Sequence, residues 1–174
     1  IGDSGVGIYA TGGLVTLNSG SVFNMGTNGA VGVYGVYSAV NNSADLNIGN
    51  SNYGYILKGG SLTNAAGTSA SMGSDSVYMY STEGTTVTND GTLIMSGADN
   101  VGFYMAQDPT SGAGGAIMIN NAGGNISAGN WVYAKNGYGD VIGMGGDAIG
   151  DDYEINLQSP KQLTIHSPKV PVAD

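Results

Sequence analysis

The sequence has no cysteine and no arginine, one histidine, four prolines and four cationic side chains in 174 residues. Without cysteine there are no disulfides, no thiolate chemistry and no thiolate metal sites. Four lysines against 13 acidic residues, a net charge of −9, exclude nucleic acid as a partner, because neutralising phosphates takes Lys and Arg. The same balance repels anionic lipid headgroups. No apolar run reaches the roughly 18 residues that a membrane-crossing helix needs, and no signal peptide is visible. The single histidine, His166, lies near the C-terminus between Ile165 and Ser167, away from any Ser-His-Asp constellation, and reads as structural or incidental. Collagen would require abundant Pro with Gly at every third position, and disorder would require few apolar residues. With 41% apolar residues the chain is expected to fold. It opens at Ile1 and reads as a processed or excised piece of a longer protein.

Glycine, by contrast, fills 32 positions, well above its usual share of about 7%. Much of it belongs to a repeat. The tetrapeptide Val6-Gly-Ile-Tyr9 returns as Val31-Gly-Val-Tyr34, Tyr53-Gly-Tyr-Ile56, Val77-Tyr-Met-Tyr80, Val101-Gly-Phe-Tyr104 and, more loosely, Trp131-Val-Tyr-Ala134, at steps of 25, 22, 24, 24 and 30 residues. Asn18, Asn41, Asn64, Asn89 and Asn120 keep the same beat, each 11 to 13 residues before the next anchor. A weaker apolar pair follows, as Leu46 and Ile48 or Leu93 and Met95.

A period of 20 to 50 residues marks a stacked-repeat architecture. Short alternating runs bounded by Gly, Asn and Ser, rich in β-branched and aromatic residues, exclude helical repeats. About 24 residues with two or three strands is the size of one coil of a right-handed parallel β-helix, whose strands pair with their equivalents one coil on. The expected fold is therefore an all-β solenoid of about six coils over residues 1–150. Val6, Val31, Val77 and Val101 should form one interior column, with Ile8, Val33, Met79 and Phe103 in another beside it. Gly and Asn suit corners that need positive φ, and stacked Asn can form a hydrogen-bonded ladder. That structural role outweighs a glycan or ligand role, although Asn41-Asn-Ser43 and Asn125-Ile-Ser127 are sequons.

Composition changes after Gly150. Residues 151–174 hold three of the four prolines and repeat Ser159-Pro-Lys161 as Ser167-Pro-Lys169, while Ile155, Leu157, Leu163 and Ile165 alternate as strand residues do. The segment reads either as a cap of short strands or as a linker or cloning-derived tail.

Three candidate sites follow. Tyr9, Tyr34, Tyr80 and Tyr104 come three residues after their anchors, beside Gly7, Gly32 and Gly102. They form either an uncovered aromatic binding ladder or a second interior stack. The cluster Asp140, Asp147, Asp151 and Asp152, with Glu154, partly resembles the Gly-Gly-x-Gly-x-Asp calcium repeat, and is either a calcium site or a turn-rich last coil. No other cofactor is implied. The remaining acids, Asp3, Asp45, Asp75, Glu83, Asp90, Asp99 and Asp108, are spread singly through expected turns rather than paired as glycoside hydrolysis requires. An ice-binding solenoid would need a regular Thr array, and the sequence places its Thr residues in no single column.

The segments "VGIYATGGLVTLNSG" and "TTVTNDGTLIMSGADNVGFY" resemble the passenger domains of large type V autotransporters, in particular very long fusobacterial surface adhesins, over roughly residues 1–150. The resemblance implies a secreted, right-handed β-helix displayed on the extracellular side of the bacterial outer membrane. It also implies a non-enzymatic role in attachment to host cells, other bacteria or glycans, as a virulence-associated stalk or recognition segment. The alternative is a carbohydrate-active β-helix, such as a polysaccharide lyase or a tailspike-like hydrolase.

Overall fold

Short alternating runs separated by Gly-rich turns become strands in the computed structural model, which describes residues 1–105, 117–121, 123–128, 132–135, 141–144, 156–158 and 162–166. The described residues are all-β, with no helix. The first coil holds β1 (Val6–Thr11), β2 (Leu14–Leu17) and β3 (Val22–Asn24). In the next two coils the first corner is spanned by one long strand, giving β4 (Val31–Asn42) with β5 (Asp45–Ile48), and β6 (Tyr53–Asn64) with β7 (Ser69–Met72). The corner breaks the strand again in β8 (Val77–Thr82), β9 (Thr86–Asn89) and β10 (Thr92–Met95). Then follow β11 (Val101–Met105), β12 (Ile117–Asn120), β13 (Asn125–Ala128) and β14 (Val132–Lys135).

Pairing between coils is parallel and in register. Val6 sits opposite Val31, Val31 opposite Tyr53, Tyr53 opposite Val77, and Val77 opposite Val101. These are the repeat anchors read from the sequence, so the solenoid is the expected one. About four turns are stacked, not six. After Val101 the register shifts and Val101 meets Tyr133. The expected sixth anchor, Trp131, lies outside the described residues. Pairing then turns antiparallel, with β15 (Val141–Met144) on β14, β17 (Gln162–His166) on β12, and β16 (Asn156–Gln158) on β17.

Alternation sends one column of each face inward. Val33, Tyr55, Met79 and Phe103 are fully buried beneath the first face, Val40, Leu62, Val87 and Met118 beneath the second, and Leu46, Ala70 and Leu93 beneath the third. The anchor column is in register but less enclosed than expected. Val31 is buried, Val77 and Val101 are half-buried, and Val6, in the first coil with no strand on its outer side, is 50% exposed. The reason is the residue after each anchor: Gly32 and Gly54 are buried, and Tyr78 of the same column points its ring into the core. Gly32 is needed for close approach rather than to uncover the neighbouring tyrosine, since a Cβ there would stand 2.5 Å from the carbonyl oxygen of Gly54.

The expected asparagine ladder exists with a corrected membership. Its rungs are Asn42, Asn64, Asn89 and Asn120, joined by Nδ2-to-Oδ1 hydrogen bonds of 3.1, 3.1 and 2.7 Å. Asn41 points outward one residue earlier, and Asn18 follows Leu17, which occupies the ladder position in the first coil. Each buried amide is satisfied by spending its second proton nearby: Asn42 donates to the Ala44 carbonyl, Asn89 to that of Gly91, and Asn64 to the Tyr78 hydroxyl. A second ladder, built from mixed residue types, links the backbone N–H of Ala30 to Asn52, that of Asn52 to Ser76, and that of Ser76 to Asn100.

Candidate functional site

In β1, the first halves of β4 and β6, β8 and β11, the residue after the buried column faces outward. The register makes these residues one file, Tyr9, Tyr34, Ile56, Tyr80 and Tyr104. The tyrosines are therefore not an interior stack. Tyr9 is 68% exposed and the other three are half-buried. Coil spacing of about 4.8 Å matches aromatic stacking. Tyr9 and Tyr34 stack with ring centroids 5.4 Å apart and planes 21° from parallel, and Tyr80 and Tyr104 at 4.9 Å and 17°. Ring faces are thus turned along the solenoid axis against each other, and what the file presents to solvent is ring edges and phenolic hydroxyls. Ile56 separates the two stacked pairs.

The neighbouring column, two residues on, runs Thr11, Val36, Lys58 and Thr82, of which Thr82 is buried. At the adjoining corner Tyr37 is 63% exposed and has φ of 48°, a conformation that tyrosine adopts only under constraint. Its ring crosses Gly59, where a Cβ would lie 2.6 Å from the Tyr37 Cδ1 atom, and its hydroxyl donates to the Glu83 carboxylate one coil further. Lys58 Nζ approaches the other oxygen of Glu83 at 3.2 Å. Tyr37, Lys58 and Glu83 escaped the sequence reading. The available signal was a non-glycine at a corner where neighbouring coils carry Gly12 and Gly59. Together the file and this corner form a face with aligned hydroxyls, an aliphatic centre and one ion pair, held on parallel strands.

No family model, curated protein or solved structure matches the chain.

The acids serve the corners. Asp45 Oδ1 accepts the Ser69 N–H at 2.8 Å, Asp3 Oδ1 that of Thr27 at 3.1 Å, and Asp90 Oδ2 accepts from Asn121 at 3.0 Å. Asp75 and Asp99, at φ of 56° and 55°, stand two residues before paired anchors at one exposed corner, so stacking does bring two carboxylates into adjacent coils. The calcium candidates Asp140, Asp147, Asp151 and Asp152, with Glu154, and the acid Asp108 lie outside the described residues. Among the described residues no three His, Cys, Asp or Glu side chains converge as metal ligands. His166 belongs to β17, opposite Ile117.

Two further tyrosines are interior. Tyr78 packs edge-on between Tyr55, at 5.5 Å, and Phe103, at 5.7 Å. Burial pushes the Tyr78 hydroxyl well above its ordinary pKa, an effect partly offset by the hydrogen bond from Asn64. Burial, reinforced by Tyr78, raises that of Tyr55 as well. Both shifts favour the neutral hydroxyl.

Proposed function

We propose that the chain is a non-enzymatic attachment segment of a bacterial cell-surface protein, a β-helical stalk whose tyrosine file contacts a protein or glycan on a host or bacterial surface. The observation that supports it is the outward file itself: Tyr9, Tyr34, Tyr80 and Tyr104 fixed in stacked pairs on parallel strands. Rigid aromatic side chains lose little conformational freedom on contact, and a flat face of ring edges and hydroxyls suits a polar, extended partner. The autotransporter resemblance of the repeat supports extracellular display at the outer membrane. Repetition of one coil also suits a rod whose stability is the sum of neighbour interfaces.

The test is attachment of the purified chain to whole bacterial and epithelial cells, with and without competing sugars. Replacing Tyr34 and Tyr80 with Ser should weaken attachment about tenfold or more, given roughly 1 kcal/mol for each aromatic contact, while circular dichroism stays that of the parent. Unchanged attachment would remove the tyrosine file from the role. Release of unsaturated sugars from polyuronates would instead favour the carbohydrate-active reading.

A further inference from the structure

Ile56 stands between Tyr34 and Tyr80, so the four outward tyrosines form two separate pairs rather than one run. Tyr9 and Tyr34 are direct partners across the first and second coils, and Tyr80 and Tyr104 across the fourth and fifth. Because the paired strands are parallel, both side chains of a pair leave the sheet in the same direction. Their ring centroids lie 5.4 and 4.9 Å apart, with planes 21° and 17° from parallel. The carbons ortho to the two hydroxyls are thus about 4.8 Å apart, one coil spacing. The χ2 torsion that can bring them together is broad and soft.

Tyr37, Tyr53, Tyr55 and Tyr78 lack this arrangement. Tyr55 and Tyr78 meet edge-on at 81° and are sealed in the core. Tyr37 lies across Gly59, and Tyr53 is paired with Val31 and Val77.

We propose that the two stacked pairs are sites of oxidative cross-linking, at which a haem peroxidase acting with hydrogen peroxide joins Tyr9 to Tyr34 and Tyr80 to Tyr104 as dityrosine. Each phenol gives up one electron and its hydroxyl proton, leaving a radical shared between the oxygen and the ortho carbons. The two radicals of a pair form a bond between ortho carbons, and the hydrogen on each of those carbons moves to its own oxygen and restores the phenol. The two electrons and two protons released per pair break the O–O bond of one peroxide and yield two waters. Proximity decides the partner: a radical held one coil from another ring couples within the chain rather than with a second chain.

The bonds fall at the ends of the parallel stack. In the first coil Ile8, Val15 and Phe23 are only half-buried, and beyond the fifth the register shifts. Terminal layers of a stacked repeat open first, so a covalent tie to the next coil holds the stack against fraying. The chemistry depends on ring geometry and holds whatever the file contacts.

Treatment of the dilute, folded chain with a haem peroxidase and hydrogen peroxide tests this, read by dityrosine fluorescence and by mass mapping of digests. The monomer should lose two hydrogens per bond, with the Tyr9 peptide joined to the Tyr34 peptide and the Tyr80 peptide to the Tyr104 peptide. Tyr34→Phe with Tyr104→Phe, which keeps stacked rings but removes one phenol from each pair, should lower the intrachain yield about tenfold or more, with unchanged circular dichroism. Tyr9→Phe alone, at an exposed position, should lose the first bond and keep the second. The cross-linked parent should also melt several degrees above the untreated chain, because ties across 25 and 24 residues restrict the unfolded state. No dityrosine in the parent, bonds mainly between chains or through Tyr37 or Tyr53, an undiminished yield in the folded double variant, or an unchanged melting point would each overturn the proposal.

Discussion

Tyr55 and Tyr78 touch in the same interior, yet among the described residues only the Tyr78 hydroxyl has a partner; that of Tyr55 is buried with none. An unsatisfied buried hydroxyl costs about 1 kcal/mol or more. Tyr55→Phe should therefore leave stability unchanged or raise it by about 1 kcal/mol in urea unfolding, and a marked loss would mean that the hydroxyl is satisfied after all. Asn64 is the opposite case, because it accepts from Asn42 and donates to both Asn89 and Tyr78. Asn64→Ala should cost about 2–4 kcal/mol by the same measurement. Both buried tyrosines have raised pKa values, so the neutral form is favoured in the folded state. Their contribution is complete below the ordinary tyrosine pKa of about 10 and is lost as pH rises above it. Alkaline unfolding should begin above about pH 10, and substituting both with Phe should move it upward. At this scale the sequence was only partly legible. It showed that an asparagine ladder should exist, but Asn41 and Asn42 are adjacent, and the inward one is decided by strand phase rather than by spacing.

Strand positions and their order were readable because alternation and Gly-rich turns carry them locally. Corner geometry was not. Gly60 has φ of 84°, and a Cβ there would collide with the Ser38 carbonyl oxygen, whereas Gly13 has open space around its α-carbon. Gly60→Ala should destabilise by at least about 2 kcal/mol, while Gly13→Ala should be neutral or stabilise by up to about 1 kcal/mol. Thermal melting of the two variants separates them, and equal shifts would contradict the corner assignment. Corners also differ between coils: β4 and β6 run straight through a corner at which β1 and β2, or β8 and β9, break. That difference leaves the register across coils intact.

At the scale of the molecule, the rod is a file of layers, each incomplete without its neighbours. A cavity in a middle layer is felt by the layers on both sides, so Leu62→Ala, at a fully buried position in the third coil, should cost about 2–5 kcal/mol. The outward tyrosine file was legible as a periodic feature. Its outward direction was not, because both Val-Gly-x-Tyr neighbours of an anchor could face the core until Tyr78, in the glycine column, is seen to fill it. Everything proposed for the faces depends on coils lying over one another in this register. Spin labels on cysteines replacing Tyr9 and Tyr104, in a chain with no other cysteine, measure it directly. Four coil steps place the labelled backbones about 19 Å apart, so dipolar spectroscopy should give one narrow distance near that value, within the reach of the label tethers; a broad or far longer distribution would contradict the stacked coils and the faces they create.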